Sequence, residues 1–287
     1  MSVICAVLLG AVQGVCSLLP VSGMGHMALL ADALGIHEQY SLYFAILLNV
    51  GTAAAVCVYF YKDMFRLITE LGMICRDLLF NAILYLKGTY RIEQPRKIIT
   101  NPYRQLLVLM IMALIPTALI GWLMMPFVVG IFDSVLAAAM GFWLNALLLY
   151  MASLVQTDVR LMQSIKCRTG LVAGVFHGFS CIPGFSRTAS VAVAGRFLGF
   201  PRKLAVKLSL LLSVPTSIGA LILALSRDLD QVSFPGVPAC LAGVITSAIV
   251  SWFVVRVAAR SLQRMNYRFY MAYCLLIGGL SVITYLI

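Results

Sequence analysis

Negative charge is the scarcest commodity in this chain: 10 of 287 residues are acidic, and all charged residues together make up 11% against 62% hydrophobic. A soluble domain carries about 25% charged residues. With a mean hydropathy of +1.00, the composition excludes an ordinary soluble enzyme and indicates a polytopic membrane protein. The eight cysteines include no CxxC pair, so neither a zinc site nor a disulfide framework is indicated. A basic segment ahead of the first apolar run is also missing, so the N-terminus is expected to belong to the mature fold. The formal charge of +11 comes from basic residues lying between apolar spans and not on one soluble face, which excludes nucleic acid as a partner.

What is present is length in apolar runs. Six stretches are long enough to cross a bilayer, near Tyr40 to Tyr61, Leu106 to Val128, Asp133 to Val155, Leu204 to Ser226, Pro235 to Val255 and Arg268 to Ile287. Two others, Met1 to Gly35 and Gly170 to Phe200, are broken at Pro20 to Gly25 and Pro183 to Thr188. Each reads as a re-entrant helical hairpin whose irregular tip must be buried in protein, because lipid cannot satisfy loose backbone groups. The hairpins match at an offset of 164 residues: Gly10 with Gly174, Gly14 with Gly178, Ser22 with Ser186, and Leu34-Gly35 with Leu198-Gly199. An internal repeat follows.

The expected fold is an all-α integral membrane domain over 1–287, with halves at 1–155 and 166–287 and a cytoplasmic insert at 62–105. Each half is one hairpin plus three crossings, and an odd number of crossings inverts the second half relative to the first. Placing both termini outside puts 19 of the 21 basic residues on the cytoplasmic side, leaving Arg227 outside and Arg187 on a hairpin tip. Within the insert, Leu67, Leu71, Ile74 and Leu78 at helical spacing predict one or two interfacial amphipathic helices.

The tips carry the candidate chemistry. Arg187, in PGFSRTAS, is a cation at membrane depth beside Ser186, Thr188 and Ser190, at the start of a helical limb whose free N–H groups and positive dipole end also favour a phosphate. The competing reading is an arginine that satisfies carbonyls of the turn. His26 is a candidate acid, base or phosphate ligand, or a hydrogen-bonded core histidine. Ser22 and Ser186 are matched by the repeat, as are Gln13 and His177; helix packing competes with ligand contact for each.

These segments resemble the two signatures of the undecaprenyl-pyrophosphate phosphatase family linked to bacitracin resistance, and the likeness extends over essentially the whole chain. The resemblance implies a polyprenyl (undecaprenyl) phosphate or diphosphate lipid as partner, a bacterial inner membrane location, and recycling of the carrier for cell-wall synthesis. It implies catalysis by His26, Ser22 and Arg187, phosphate binding by Arg187, Ser186, Thr188, Ser190 and His26, and a site lined by Gln13, Ser17, Gly23 and His177.

Family members typically read EGxxEFLPVSSTGH where this chain has QGVCSLLPVSGMGH. Gln13 and Ser17 replace glutamates, Gly23 replaces a serine and Met24 a threonine. The resemblance implies a divalent cation, magnesium or calcium, yet no carboxylate remains near the tip, since Asp32 and Glu38 lie toward the outer end of the hairpin; no metal ligand is assigned. Three functions stay open: a phosphatase with an altered site, a transporter or flippase of the carrier lipid, and a non-catalytic relative. A homodimer is compatible with each.

Overall fold

The computed structural model describes residues 1–36, 40–88, 93–155, 165–226, 235–264 and 266–286. Glu38, one of the two acids placed toward the outer end of the first hairpin, and Arg91, Arg160, Arg227 and Ile287, which entered the topology argument, lie outside the described residues. The described chain is helical and contains no strand. Its helices are α1 (Val3–Cys16), α2 (Gly23–Ala33), α3 (Tyr40–Tyr59), α4 (Tyr61–Leu86), α5 (Pro102–Ile131), α6 (Val135–Leu154), α7 (Thr169–Gly178), α8 (Arg187–Phe197), α9 (Arg202–Leu225), α10 (Val237–Ser261) and α11 (Tyr267–Leu286). Short 3-10 turns follow α7 and α10.

Six of these helices, α3, α5, α6, α9, α10 and α11, are long and apolar enough to cross a membrane, and they coincide with the six expected spans. The limbs α1, α2, α7 and α8 have 14, 11, 10 and 11 residues. At 1.5 Å per residue they are roughly 15 to 21 Å long, short of the ~30 Å hydrocarbon core. Serines start both second limbs. Ser22 Oγ accepts from the Gly25 N–H and Ser186 Oγ from the Ala189 N–H, each at 3.2 Å, satisfying one of the otherwise free donors of a helix N-terminus.

The limbs of each half pack against spans of the other. Helix α1 lies on α10, which also packs on α3; α7 lies on α5, which also packs on α9. Small residues permit this approach. A β-carbon on Gly10 would stand 2.5 Å from the Gly243 carbonyl oxygen, and one on Gly174 would overlap the carbonyl of Ala113. The two irregular breaks touch as well: a β-carbon on Gly25 would meet Gly184 at 2.6 Å. Between them Asn145 of α6 donates to the Pro20 carbonyl at 3.1 Å and accepts from the Ser186 N–H at 3.2 Å.

The insert differs in detail from its expected register. It forms one helix, α4, following α3 after the single residue Phe60. Leu67 and Ile74 are buried as expected, but Leu71 and Leu78 are exposed. The inward face is set by charge: Arg104 of α5 pairs with Glu70 and Asp77, each at 2.8 Å, and these acids, one helical face with Leu67 and Ile74, turn α4 toward α5.

Candidate functional site: a cation in an apolar cavity

Arg187 opens α8 and lines a cavity of about 370 Å³ together with Asn49, His177, Thr117 and an apolar wall that includes Met24, Ile46, Trp122 and Leu223. This volume falls in the range of small-molecule sites. Trp122 is 57% exposed and Gly219 of α9 is exposed too, so the cavity reaches the molecular surface along α5 and α9. The Arg187 guanidinium donates to Asn49 Oδ1 and, at 3.4 Å, to Ser217 Oγ. Both partners are neutral, and among the described residues Arg187 forms no ion pair. A cation held by dipoles alone in apolar surroundings leaves the cavity electropositive.

The first break supports this cation indirectly. Gln13 is fully buried and its Nε2 donates to the same Asn49 Oδ1 at 2.6 Å, while Asn49 Nδ2 donates to the Ala45 carbonyl at 3.0 Å. One amide oxygen thus serves two donors, one from each half of the chain. The other end of Gln13, Oε1, is buried without a hydrogen-bond partner. Gly23 lies directly against it: a β-carbon there would stand 2.8 Å from Oε1 and 3.0 Å from Ser17 Cα. Ser17 is tied to α3 by Oγ to Thr52 Oγ1 at 3.3 Å.

The hydroxyls expected beside Arg187 are largely committed to backbone. Ser186 Oγ donates to the Leu19 carbonyl at 3.3 Å, Thr188 Oγ1 to that of Ser17 at 3.0 Å, and Ser190 Oγ to that of Arg187 at 2.8 Å. Thr188 and Ser17 line a small hollow adjoining Arg187 and Asn49; Ser186 and Ser190 line neither space. The second break is therefore braced against the first by the very hydroxyls that the sequence offered as phosphate donors.

His26 and Ser22 stand apart from the cavity. Nδ1 of His26 lies 2.7 Å from the Ser22 carbonyl, which can only accept, so the proton sits on Nδ1 and Nε2 accepts from the Tyr273 hydroxyl at 2.8 Å. Phe142 meets the ring edge-on, with centroids 5.0 Å apart. No hydrogen bond joins His26 to Arg187, and His26 is absent from the cavity lining. Ser22 is 2% exposed and adopts φ 65°, the one positive φ among the described non-glycine residues. That conformation is sparsely populated for serine; its Oγ cap on Gly25 and its carbonyl's bond to His26 hold it there.

The donor set does not suit a resident divalent cation. Oxygen sites for magnesium or calcium rest on carboxylates, whereas the polar groups around Arg187 are amides, hydroxyls, the His177 imidazole and the Cys181 thiol, with no carboxylate among the described residues of the cavity lining. No cluster of three or more His, Cys, Asp or Glu residues occurs among the described residues.

Sequence reasoning did not single out Asn49. Its signal was there, a lone amide within the apolar span LLNVG, and polar side chains at such depth normally bond across helices or line a pathway. Asn145 carried the same signal in FWLNALL.

Compared with known proteins, residues 6–280 match the family described as bacitracin resistance protein BacA. An undecaprenyl-diphosphatase of Alkaliphilus metalliredigens is 30% identical, with 97% of each chain covered. Another from Syntrophotalea carbinolica is 30% identical, with 98% of each covered. One from Methanosphaera stadtmanae is 27% identical, covering 99% of this chain and 98% of the relative.

Proposed function

Because this chain belongs to the bacitracin resistance protein BacA family, with undecaprenyl-diphosphatases among its relatives, we propose that it binds the phosphate headgroup of a polyprenyl diphosphate at Arg187 and dephosphorylates the lipid with an altered active site. The observation that carries the reading is Arg187 itself. It is a cation without an ion-pair partner among the described residues, in a cavity whose other walls are mostly apolar, a combination suited to an anionic head on a hydrocarbon tail.

In this reading Arg187 neutralises charge that develops on the phosphate oxygens, the electrostatic work that dominates phosphoryl transfer. Gln13 and Asn49 orient the guanidinium without neutralising it. His26, with Nδ1 protonated and Nε2 toward Tyr273, enters only if lipid binding opens its contacts. The surrounding architecture is that of two re-entrant hairpins in inverted halves, in a bacterial inner membrane with both termini outside. Support comes from limbs too short to span, from α2 and α8 matching at the 164-residue offset, and from packing pairs that interchange when the halves are exchanged (α1 on α10 with α7 on α5, α3 on α10 with α9 on α5).

A second reading, transfer of polyprenyl phosphate between leaflets, is favoured by one specific observation: an amide and a hydroxyl stand at Gln13 and Ser17, where hydrolysis would use carboxylates. Purified protein supplied with a polyprenyl diphosphate, with and without magnesium, separates the two. Hydrolysis is expected to release phosphate at a rate that Arg187→Ala lowers about a hundredfold. Release no greater than from Arg187→Ala rejects the enzyme, and movement of polyprenyl phosphate across reconstituted vesicles faster than in protein-free ones then assigns the transporter.

A further inference from the structure

We propose that His177 is the proton acceptor of the Arg187 cavity: when a phosphate anion binds, His177 Nε2 takes up one proton from solvent, and the imidazolium donates to a phosphate oxygen beside the guanidinium. The inference rests on the reading of this cavity as a phosphate-lipid site.

His177 ends α7, lines the cavity and is 2% exposed. Its Nε2 is buried with no hydrogen-bond partner, which is uncommon and calls for a physical reason. The other ring nitrogen fixes the tautomer. Nδ1 lies 3.3 Å from Ser180 Oγ, and Ser180 spends its own hydrogen on the His177 carbonyl at 2.5 Å. Ser180 Oγ can therefore only accept from Nδ1–H, which leaves Nε2 of the neutral ring as a bare lone pair. His26 has both nitrogens occupied by comparison.

Charge decides when that lone pair is filled. Apart from His177 itself, α7 has no titratable residue from Thr169 to Gly178, and α5, packed along it, has none from Leu106 to Ile131; α9 offers none from Pro215 to Leu225. Cys181 of the following turn and Arg187 of α8 are the remaining titratable groups of the lining. With the cavity lacking an anion, burial first and the Arg187 charge second oppose a positive charge at His177. An arriving phosphate reverses the sign of the local field and favours the imidazolium. Binding and proton uptake are thereby linked, and the anion gains a directional donor that Arg187 alone does not supply.

Calorimetric titration of the full-length protein in lipid nanodiscs with farnesyl phosphate, at about pH 7.5 in two buffers of different ionisation heat, counts the protons taken up. Wild type should take up about one proton more per bound ligand than His177→Gln. Equal uptake in both, with Arg187→Ala still abolishing binding, overturns the role of His177 and leaves the phosphate-lipid reading standing. Failure of wild type to bind either farnesyl phosphate or farnesyl diphosphate rejects both. Should His177→Gln not fold, ¹⁵N-histidine spectra of wild type give the same decision: one ring must move to the imidazolium form on ligand addition, and unchanged resonances overturn the proposal.

Discussion

Asn49 Oδ1 accepts from Gln13 and from Arg187, so Gln13, which stands where the family resemblance sets a glutamate, is one bridging oxygen away from the guanidinium. Gln13→Glu would add a negative charge that competes with a phosphate for Arg187. At an effective dielectric of about 20 such a charge, one bridging oxygen away from the guanidinium, is worth about 3 kcal/mol, roughly a hundredfold in affinity. Farnesyl phosphate binding to Gln13→Glu, measured without divalent ions, is expected to weaken by that factor. If Gln13→Glu with Ser17→Glu then releases phosphate from a polyprenyl diphosphate only when magnesium is added, the pocket has kept its shape and lost its carboxylate chemistry. Unchanged affinity would mean that Gln13 does not communicate with Arg187 through Asn49. Arg187 was legible in the sequence because a lone cation in a hairpin tip has few bland explanations. Asn49 was not, since nothing in LLNVG says which face of α3 turns inward, and the Tyr273 partner of His26 lies 247 residues away along the chain.

Between elements, a buried charged cluster joins α4 to the first turn of α5. Arg104 of α5 holds Glu70 and Asp77 of α4, and Asn101 adds a bond to Glu70 at 2.9 Å. The Arg104 hydrogen bond depresses the carboxyl pKa of both Glu70 and Asp77 below their ordinary values of 4.5 and 3.8. A depressed carboxyl contributes stability that is complete above its unfolded value and disappears as pH falls through the lower folded one. Helix α4 is therefore expected to stay docked down to pH values below about 4 and to open under stronger acid, with hydrogen exchange rising in α4 before it rises in α3 or α9. Arg104→Gln should bring that opening toward neutral pH, because buried Glu70 loses its ion-pair partner and Asp77 keeps only the more exposed Arg96 and Arg76. Exchange in α4 unaltered by Arg104→Gln would assign its docking to Leu67, Ile74 and the contacts of Asp63 with Tyr103 and Lys207. The amphipathic period announced a helix here; the choice of face depended on a cation that the sequence places 27 residues beyond Asp77.

At the scale of the whole molecule, crossing parity separates the inverted architecture from its nearest rival. From α4 to the end of α11 the described residues contain five helices able to span, α5, α6, α9, α10 and α11, plus the pair α7 and α8. If that pair is re-entrant it adds no net crossing, and five crossings put Leu286 on the side opposite Cys75. If α7 and α8 instead formed one broken span, with 10 and 11 residues or about 32 Å together if collinear, six crossings would return Leu286 to the side of Cys75. The packing of α7 against α8 argues for a folded-back pair, and in the proposed topology the basic residues between 62 and 104 put Cys75 on the cytoplasmic side. Cys75 is the one exposed cysteine of the eight, and Leu286 is 75% exposed, so thiol chemistry reads both positions. A membrane-impermeant maleimide should label Cys75 only in inside-out vesicles. In a Cys75→Ser, Leu286→Cys chain it should label only intact spheroplasts. Labelling of both positions from the same side would exclude the re-entrant pair and, with it, the inverted arrangement proposed for the two halves.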